Sequence, residues 1–325
     1  MPNNPPVVTI GLPVYNGVPH LENCLRTLLA QDYPHIELLI SDNASQDGTS
    51  EICHTLAAGR ANVRYVRQPT NIGALANFLV VLDMAEGDYF MWAAHDDTWN
   101  NQFVSALVAK LATDPQAVLA TPAALLLNED GTLANLPPDR PAPGTSGTDN
   151  LRVLLADHAM SWFYGLYRTD WLKAHHQEMS RYPGWGGDGI WLAEVCLNQR
   201  VVGSQDAWMF KRLRRSGMAP RGSRAVLKFW SYMFRHYYHV SWQRPVSRAE
   251  KLRALSITWG YVYRLCLRRS NPLSTAWRVV RIVSLAALAS AAVALINLVR
   301  RKSAGLPIEH TPQVQSVQNL KQRAA

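Results

Sequence analysis

The chain has 325 residues, of which 48% are hydrophobic and 18% are charged. This composition supports a large buried core and excludes an intrinsically disordered protein. The cysteines are far apart and form no CxxC pair, which argues against a clustered metal site and suits a reducing compartment: Cys24, Cys53, Cys196 and Cys266. The first residues lack a basic stretch followed by an apolar core, so we expect no secretory signal.

The net charge of +9 hides a division along the chain. Residues 1–210 hold 11 Lys+Arg and 22 Asp+Glu, a net charge of −11. Residues 211–325 hold 22 Lys+Arg and 2 Asp+Glu, a net charge of +20. Such a basic tail indicates an acidic partner, which at this stage can be a membrane surface, a nucleic acid or a phosphorylated substrate.

The first 127 residues alternate between strand and helix patterns. Short apolar runs predict strands at 7–14, 36–41, 63–67, 88–94 and 117–127. Between them, apolar residues at helical spacing predict helices at 19–31, 47–59, 72–85 and 100–114. The alternating order predicts a mostly parallel sheet with helices on both faces.

The remaining chain has weaker patterns. Residues 135–149 are rich in Pro and Gly and predict a surface loop. Residues 150–210 mix shorter elements with many Trp and Gly residues, and the chain from Arg224 onward is predicted to be helical.

Polar residues follow three of the predicted strands at the edge where ligands bind in open α/β sheets. They are Pro13–Asn16, Asp42–Gly48 and His95–Asp97. Each has a structural interpretation by itself, since Asp42 and Asn43 suit an Asx turn or helix cap and Asp96 and Asp97 suit a solvated loop. Their occurrence together favours a shared site.

The segments VTIGLPVYNG, LENCLRTLLAQDYPHIELLISDNASQDGT, RQPTNIGALANF and GDYFMWAAHDD closely resemble the family 2 glycosyltransferases. The resemblance covers residues 6–125 and continues more loosely to about residue 215. It implies an inverting reaction and the GT-A fold, which is a Rossmann-like, mostly parallel sheet flanked by helices. The implied domains are a GT-A glycosyltransferase domain at 1–215 and a basic helical tail at 216–325.

The resemblance also implies residues that bind the nucleotide-sugar. Pro13 and Tyr15 would form an apolar wall, and Asp42 would accept a hydrogen bond from the base or ribose. Other members of the implied set shape the loop, lie near the ribose or bind the diphosphate: Asn43, Ser45, Asp47, Gly73, Asn77 and Asp96.

A divalent cation, Mg²⁺ or Mn²⁺, is implied as the partner of the diphosphate. Asp96 and Asp97 would bind it, with His95 as a further candidate. The sequence departs from the family here, because Ala94 stands where the first Asp of the usual Asp-x-Asp motif is expected. A second departure is that residues 210–217 contain no His. Arg214 or Arg215 can neutralise diphosphate charge instead, or they simply begin the basic tail.

The segment Gly184–Trp191 resembles the family's catalytic-base loop and implies Asp188 as the base, with Trp185 or Trp191 stacking on the acceptor. The alternative is that Asp188 caps a helix at 189–198. Trp162 and Trp171 are expected in the core.

The tail leaves three arrangements open. Residues 282–299 are uncharged and barely long enough to cross a bilayer, and 224–269 mix aromatic and basic residues. The tail can lie on an anionic membrane surface, span it, or pack on the enzyme or a second subunit. A nucleic-acid partner is disfavoured because no nucleic-acid motif accompanies the charge.

These observations predict a hexosyl- or deoxyhexosyltransferase that moves a sugar from a nucleoside-diphosphate sugar to a glycan or lipid-linked acceptor. We expect a role in bacterial surface polysaccharide synthesis, at the cytoplasmic face of the plasma membrane. The alternative is a non-catalytic nucleotide-sugar-binding or scaffold protein that retains the fold.

Overall fold

The computed structural model describes residues 5–156, 159–182, 186–213, 223–242 and 246–268. Within the helices, the side chains of 223–227, 263 and 265–268 lie outside this description. Contacts between residues divide the chain into two compact units, Met1–Arg264 and Leu265–Ala325. The predicted boundary near residue 215, between the glycosyltransferase domain and the basic tail, stays a prediction.

The described residues contain one eight-stranded sheet with the order β3-β2-β1-β4-β7-β6-β8-β5. Its strands are β1 (Val8–Val14), β2 (Ile36–Asp42), β3 (Val63–Arg67), β4 (Tyr89–Trp92), β5 (Thr98–Trp99), β6 (Ala117–Leu127), β7 (Leu166–Arg168) and β8 (Arg200–Arg212). Pairing is parallel among β1, β2, β3 and β4 and between β6 and β8. The short strand β7 pairs antiparallel with β4 and β6, and the short strand β5 pairs antiparallel with β8. A mostly parallel sheet is therefore confirmed.

Nine α-helices are described, and the first four alternate with strands as predicted. They are α1 (Val18–Leu29), α2 (Thr49–Ala57), α3 (Ala74–Asp83), α4 (Phe103–Thr113), α5 (Gly147–Ala156), α6 (Thr169–His175), α7 (Gly187–Asn198), α8 (Ser223–Trp242) and α9 (Arg248–Arg268). Short 3-10 helices lie at Met160–Tyr164 and His176–Arg181. No described helix is long and apolar enough to cross a membrane, and residues 282–299 lie outside the described part.

Helix α1 shows how sequence pattern becomes packing. Leu21, Cys24, Leu25 and Leu28 recur at helical spacing, and all four are buried against the sheet. A proline stands in the first turn, where its missing N–H group costs no hydrogen bond. This helix therefore covers one face of β1 and β2 and fixes the loop between β1 and α1.

The structure differs from prediction on the far side of the sheet. The region 150–210, expected to contain short elements, ends in the 13-residue strand β8. Gly203 pairs with Thr121 and Trp208 pairs with Ala123, so the residues between them form an irregular part of β8. Pro122, which has no N–H group to donate, lies on β6 at this shift of register. Residues 147–149, expected in a loop, begin α5.

Candidate active site

The loops after β1, β2 and β4 leave the sheet at one edge. In the parallel register Val14 lies beside Asp42, and Gly11 lies beside Trp92. The three polar segments found in the sequence follow those residues. The fold therefore brings Asn16, the loop from Asp42 and the loop from His95 to the same edge.

Asp42 organises its own loop. Its side chain is 0% exposed. One carboxylate oxygen accepts from the Ser45 backbone N–H at 2.9 Å, and the other accepts from the Tyr65 hydroxyl at 2.9 Å. The Arg67 guanidinium lies 3.6 Å from the second oxygen. The enclosed carboxylate stabilises the loop and presents no surface to a nucleotide, which corrects the expectation of a direct contact.

Hydrogen bonds join the loops after β1 and β2. The Asn16 N–H donates to Ser45 Oγ at 2.9 Å, and the Gln46 N–H donates to Asn16 Oδ1 at 2.9 Å. The Gly17 N–H donates to Thr49 Oγ1 at 2.9 Å. Asn16 adopts a positive φ of 50°, a conformation that Asn tolerates better than most residues. Ser45 therefore shapes the loop, as predicted.

A third side of the site is formed by the segment before α3. Asn43 Nδ2 donates to Asn71 Oδ1 at 3.0 Å, and Asn43 Oδ1 accepts from the Ile72 N–H at 2.8 Å. Asn77 is 2% exposed and exchanges hydrogen bonds with Ser41, through its amide and its side-chain oxygen. These amides hold Gly73, which is exposed and has a φ of 87°, at the rim.

The exposed surface of this edge is partly apolar. Tyr15 is 43% exposed, Ile72 is 38% exposed and Leu75 is 45% exposed. Pro13, expected to share the apolar wall with Tyr15, is buried within β1 because its side chain packs into the sheet. The prediction is wrong for Pro13, whereas Tyr15 is exposed at this edge together with Ile72 and Leu75.

The His95–Asp97 loop lies against the first loop. A side-chain carbon added at Gly17 would come 3.2 Å from His95 Cδ2, so the imidazole packs on this glycine. Asp96 is half-buried, whereas Asp97 is 2% exposed and accepts from the Arg212 backbone N–H at 2.9 Å. Burial raises the pKa of the Cys24 thiol, and the charges of Asp97 and Asp96 raise it further. The two carboxylates therefore make this end of the site negative.

A cation fits this donor set. Mg²⁺ is commonly held by one or two carboxylates together with substrate phosphates and water. Asp96 and His95 are partly exposed here, whereas Asp97 is buried and accepts from the Arg212 N–H. The described residues contain no group of three or more His, Cys, Asp or Glu side chains arranged around a metal position.

Asp188 lies in the first turn of α7. Its side chain is exposed, and one carboxylate oxygen accepts from the Gly189 N–H at 2.9 Å. The helix begins at Gly187 after the left-handed Gly186, so Asp188 is inside the helix and is not its N-cap. A carboxylate in a first turn is favoured by the helix dipole, yet here it remains open to a substrate.

An aromatic cluster ties the first turns of α7 to the end of β4. Trp92 stacks on Phe163 with ring centroids 4.8 Å apart, and Phe163 meets Trp191 at 6.1 Å. Trp191 is 0% exposed, so it cannot stack on an acceptor, and that prediction is wrong because the indole belongs to the core. Trp162 is also fully buried, as predicted. Trp185, Arg214 and Arg215 lie outside the described residues.

Two contributors, Tyr65 and Arg67, were missed by sequence reasoning. Both lie on β3, and the register sets Arg67 directly beside Asp42. Arg67 also donates to the Ser45 carbonyl at 2.8 Å. The signal was present, since a strand's period of two places Val63, Tyr65 and Arg67 on one face, with the last at the edge that holds the loops.

A profile of the family described as "Glycosyl transferase family 2" matches residues 9–174. Over 94 residues the chain is 34% identical to an uncharacterized glycosyltransferase of Haemophilus influenzae, covering 29% of this chain and 38% of that relative. Over 99 residues it is 31% identical to TuaG of Bacillus subtilis, a putative teichuronic acid biosynthesis glycosyltransferase, covering 30% and 39%. The match spans well under half the length of either relative.

Solved structures share the fold. The S. aureus TarS 1-349 structure superposes with a TM-score of 0.60 at 16% identity, covering 81% of this chain and 73% of that one. The same protein in complex with UDP-GlcNAc gives a TM-score of 0.59 at 17% identity, covering 81% and 74%. At this level of identity the likeness is one of architecture, the GT-A fold.

Proposed function

The chain belongs to glycosyl transferase family 2, and from that premise we propose that it is an inverting glycosyltransferase acting on a nucleoside-diphosphate sugar. One observation carries the proposal. The loops after β1, β2 and β4 meet at one sheet edge, with an exposed Tyr15, a half-buried Asp96 and a frame of internal hydrogen bonds. Such a rigid, partly apolar edge with nearby carboxylates suits a nucleotide and its diphosphate.

The donor would bind across this edge. Tyr15 would pack on the base or ribose, and the backbone at Gly73 can approach the ribose closely because glycine has no side chain. Asp42, Asn43, Ser45 and Asn77 would act through the loops that they hold. The TarS complexes contain UDP or UDP-GlcNAc, which supports a nucleotide-sugar donor.

Asp96, assisted by Asp97, would hold Mg²⁺ or Mn²⁺ against the diphosphate. When bound, such a cation neutralises charge that develops on the leaving group. The negative charge around Cys24 supports this assignment. Ala94 removes one carboxylate that the family motif usually supplies, so the phosphates and water would complete the coordination.

Asp188 would serve as the base. Its carboxylate would take the proton of an acceptor hydroxyl while that oxygen forms a bond to the anomeric carbon. On the opposite side the bond to the diphosphate breaks, and the diphosphate leaves with the electron pair. This in-line displacement inverts the anomeric configuration. The exposed position of Asp188 in the first turn of α7 supports the role.

The acceptor would be a glycan or lipid-linked saccharide, and the sugar a hexose or deoxyhexose. The name of TuaG supports a role in bacterial surface polysaccharide synthesis. The basic tail supports work at the inner face of the plasma membrane, peripheral or anchored.

The test is sugar transfer and donor hydrolysis measured with purified protein, Mn²⁺ and a panel of nucleotide-sugars. Asp188→Asn is expected to lower turnover by roughly 10²–10⁴-fold, the usual contribution of a general base, with donor affinity retained. Asp170→Asn is the matched control, because Asp170 is an exposed carboxylate in the first turn of α6. Unchanged turnover in Asp188→Asn would remove the base assignment.

A non-catalytic nucleotide-sugar-binding protein is the second candidate, favoured by Ala94. It predicts binding of the donor without either hydrolysis or transfer. Donor binding with no turnover across the panel, by a folded wild-type protein, would therefore favour this candidate over the enzyme.

A further inference from the structure

Helix α8 packs one face onto the helix that carries Asp188. A side-chain carbon added at Gly186 would come 3.4 Å from Met233 Sδ, and one at Gly189 would come 3.5 Å from Tyr237 Oη. Met233 is 2% exposed and Tyr237 is 0% exposed. This face of α8 is therefore part of the enzyme core and supports the first turn of α7.

The adjacent side of α8 forms a hairpin with α9, and Tyr237 also meets Tyr261 of α9 at 5.9 Å between ring centroids. Phe234 meets Trp259 at 6.4 Å between ring centroids, and Lys251 Nζ lies 5.9 Å from the Trp242 ring. These two contacts show that α8 and α9 run antiparallel. Between them Tyr238 stacks on Trp242 at 5.8 Å. The shared rim of the hairpin is thus aromatic along about two turns of α8.

We define this rim as the aromatic–basic ridge: Phe234, Arg235, Tyr238, Trp242, Lys251 and Trp259. Tyr238 is 42% exposed and Trp259 is 41% exposed. Arg235 is exposed, and the remaining members are partly exposed. At 100° per residue, the α8 members fall within one narrow arc of the helix, so the ridge is a continuous surface.

The two helices of the hairpin are strongly basic in sequence, although Arg253 of α9 pairs with Asp149 at 3.1 Å. Residues 223–268 hold nine Lys+Arg and one Asp+Glu. The single acid, Glu250, accepts from Ser247 Oγ at 2.9 Å, while the Glu250 N–H donates to Ser247 Oγ at 3.3 Å. With the Ser247 N–H, which donates to the Glu250 carboxylate at 3.2 Å, these contacts form a capping box at the start of α9. One carboxylate offsets only a small part of the positive charge of the two helices.

We propose that the aromatic–basic ridge is the surface by which this protein binds an anionic lipid bilayer. Tyrosine and tryptophan favour the headgroup layer because each combines an apolar ring with a polar group, and cations are attracted to anionic headgroups. The proposal rests on the proposed function in naming the membrane, and it adds which residues contact it.

The position of the ridge has a consequence for the acceptor. The exposed arc of α8 binds lipid, and the adjacent buried arc, which holds Met233 and Tyr237, supports the turn that carries Asp188. At most about one helix diameter, about 10 Å, therefore separates the headgroup layer from the turn that bears the proposed base. A lipid-linked acceptor with a short saccharide can reach Asp188 without leaving the membrane.

The experiment measures flotation of the full chain with vesicles of phosphatidylcholine alone or mixed with phosphatidylglycerol, at low and high salt. Arg235→Gln with Lys251→Gln is expected to weaken binding roughly 30-fold, since each cation near the surface contributes to the attraction. Tyr238→Ser with Trp259→Ser is expected to weaken binding to the vesicles at both low and high salt. Leu133→Ser with Leu136→Ser, which alters side chains 63% and 51% exposed elsewhere, is the matched control and should bind as the wild type does.

Donor hydrolysis by the same variants separates this proposal from the proposed function. The ridge variants should hydrolyse the nucleotide-sugar at the wild-type rate. Wild-type protein that does not float with anionic vesicles overturns the ridge, as does wild-type flotation by both ridge variants, which would assign binding to residues outside the ridge. Self-association that is lost in the ridge variants, without vesicle binding, also overturns it. Flotation of a protein that shows no turnover would contradict the proposed enzymatic function and would leave the ridge proposal intact.

Discussion

A buried carboxylate at a sheet edge is costly unless its oxygens are hydrogen-bonded, and Asp42 satisfies both of its oxygens. Asp42→Ala removes the acceptors of the Ser45 N–H and the Tyr65 hydroxyl together. We expect a loss of roughly 1–3 kcal/mol in the free energy of unfolding, mainly because the buried Ser45 N–H loses its acceptor, whereas the Tyr65 hydroxyl keeps Ser50 Oγ at 3.0 Å as a partner. Arg67 adds little to this value, since its side chain is 43% exposed. Urea denaturation measures the change.

Tyr65→Phe is the companion substitution, because it removes only one of these hydrogen bonds and leaves the Ser45 contact in place. It should destabilise less than Asp42→Ala. In both variants nucleotide affinity should fall in the same order as stability, since Asp42 acts through the loop. A variant that binds nucleotide weakly while unfolding at the wild-type urea concentration would instead indicate direct contact.

The sequence predicted which residue types gather at this edge but not the direction of their side chains. Four residues were expected near the nucleotide, and each makes hydrogen bonds to other protein groups: Asp42, Asn43, Ser45 and Asn77. Strand order fixes where a loop begins, whereas the orientation of a side chain depends on partners from other segments, such as Tyr65.

At the scale of elements, the first turn of α7 is constrained by the preceding 3-10 helix. A side-chain carbon at Gly187 would lie 1.8 Å from the Tyr182 carbonyl oxygen, so Gly187→Ala must displace the turn or the segment before it. We expect a loss of roughly 1–3 kcal/mol in unfolding free energy, typical of overpacking, and reduced transfer because Asp188 moves. Thermal denaturation and a transfer assay measure both.

The same substitution at Gly260, in the interior of α9, serves as the control. The nearest atom to the added carbon there would be Arg264 Nη1 at 3.6 Å, an ordinary contact with a flexible group. Gly260→Ala should stabilise the protein by up to about 1 kcal/mol through helix propensity. Equal effects of the two substitutions would contradict the close approach at Gly187.

Glu194 makes the junction of α7 and the segment before it sensitive to pH. Burial raises the pKa of its carboxyl group above the ordinary 4.5. The folded protein therefore holds this proton more tightly than the unfolded chain, so stability is full below pH 4.5 and declines as pH rises through the raised pKa. Each unit of the shift corresponds to about 1.4 kcal/mol.

Two substitutions test this dependence by calorimetry between acidic and neutral pH. Glu194→Gln cannot titrate and should lose less stability than the wild type as pH rises. Tyr182→Phe removes the hydroxyl that donates to Glu194 at 2.9 Å and lowers its pKa, so it should steepen the loss. Parallel profiles for all three proteins would exclude Glu194 as the titrating group.

The elements that were predicted are those with a strong period of their own. Helix α1 buries four residues at helical spacing, and β1 is buried along its whole length. Strand β8 was missed because its pattern is mixed, with Ser204 and Ala207 buried and Gln205 and Asp206 exposed. Its strand conformation is supplied by pairing with β6, which is distant in sequence and leaves no local pattern.

At the scale of the whole molecule, the charge division bears on how the donor binds. Residues 1–210 carry a net charge of −11, and a nucleoside diphosphate is itself an anion. The acids that lie at the candidate site, Asp96 and Asp97, therefore oppose the diphosphate unless a divalent cation accompanies it. We expect UDP with Mn²⁺ to raise the melting temperature much more than UDP with EDTA.

Saturation at about 100 times the dissociation constant contributes roughly 2.7 kcal/mol, which corresponds to a rise of several degrees for a domain of this size. GDP and dTDP tested in parallel identify the preferred base. Asp96→Ala should abolish the Mn²⁺-dependent part of the shift, whereas Asp206→Ala, which alters an exposed carboxylate on β8, should retain it. An equal rise in melting temperature with EDTA would mean that protein groups alone neutralise the diphosphate. It would contradict the proposal that Asp96 binds a cation.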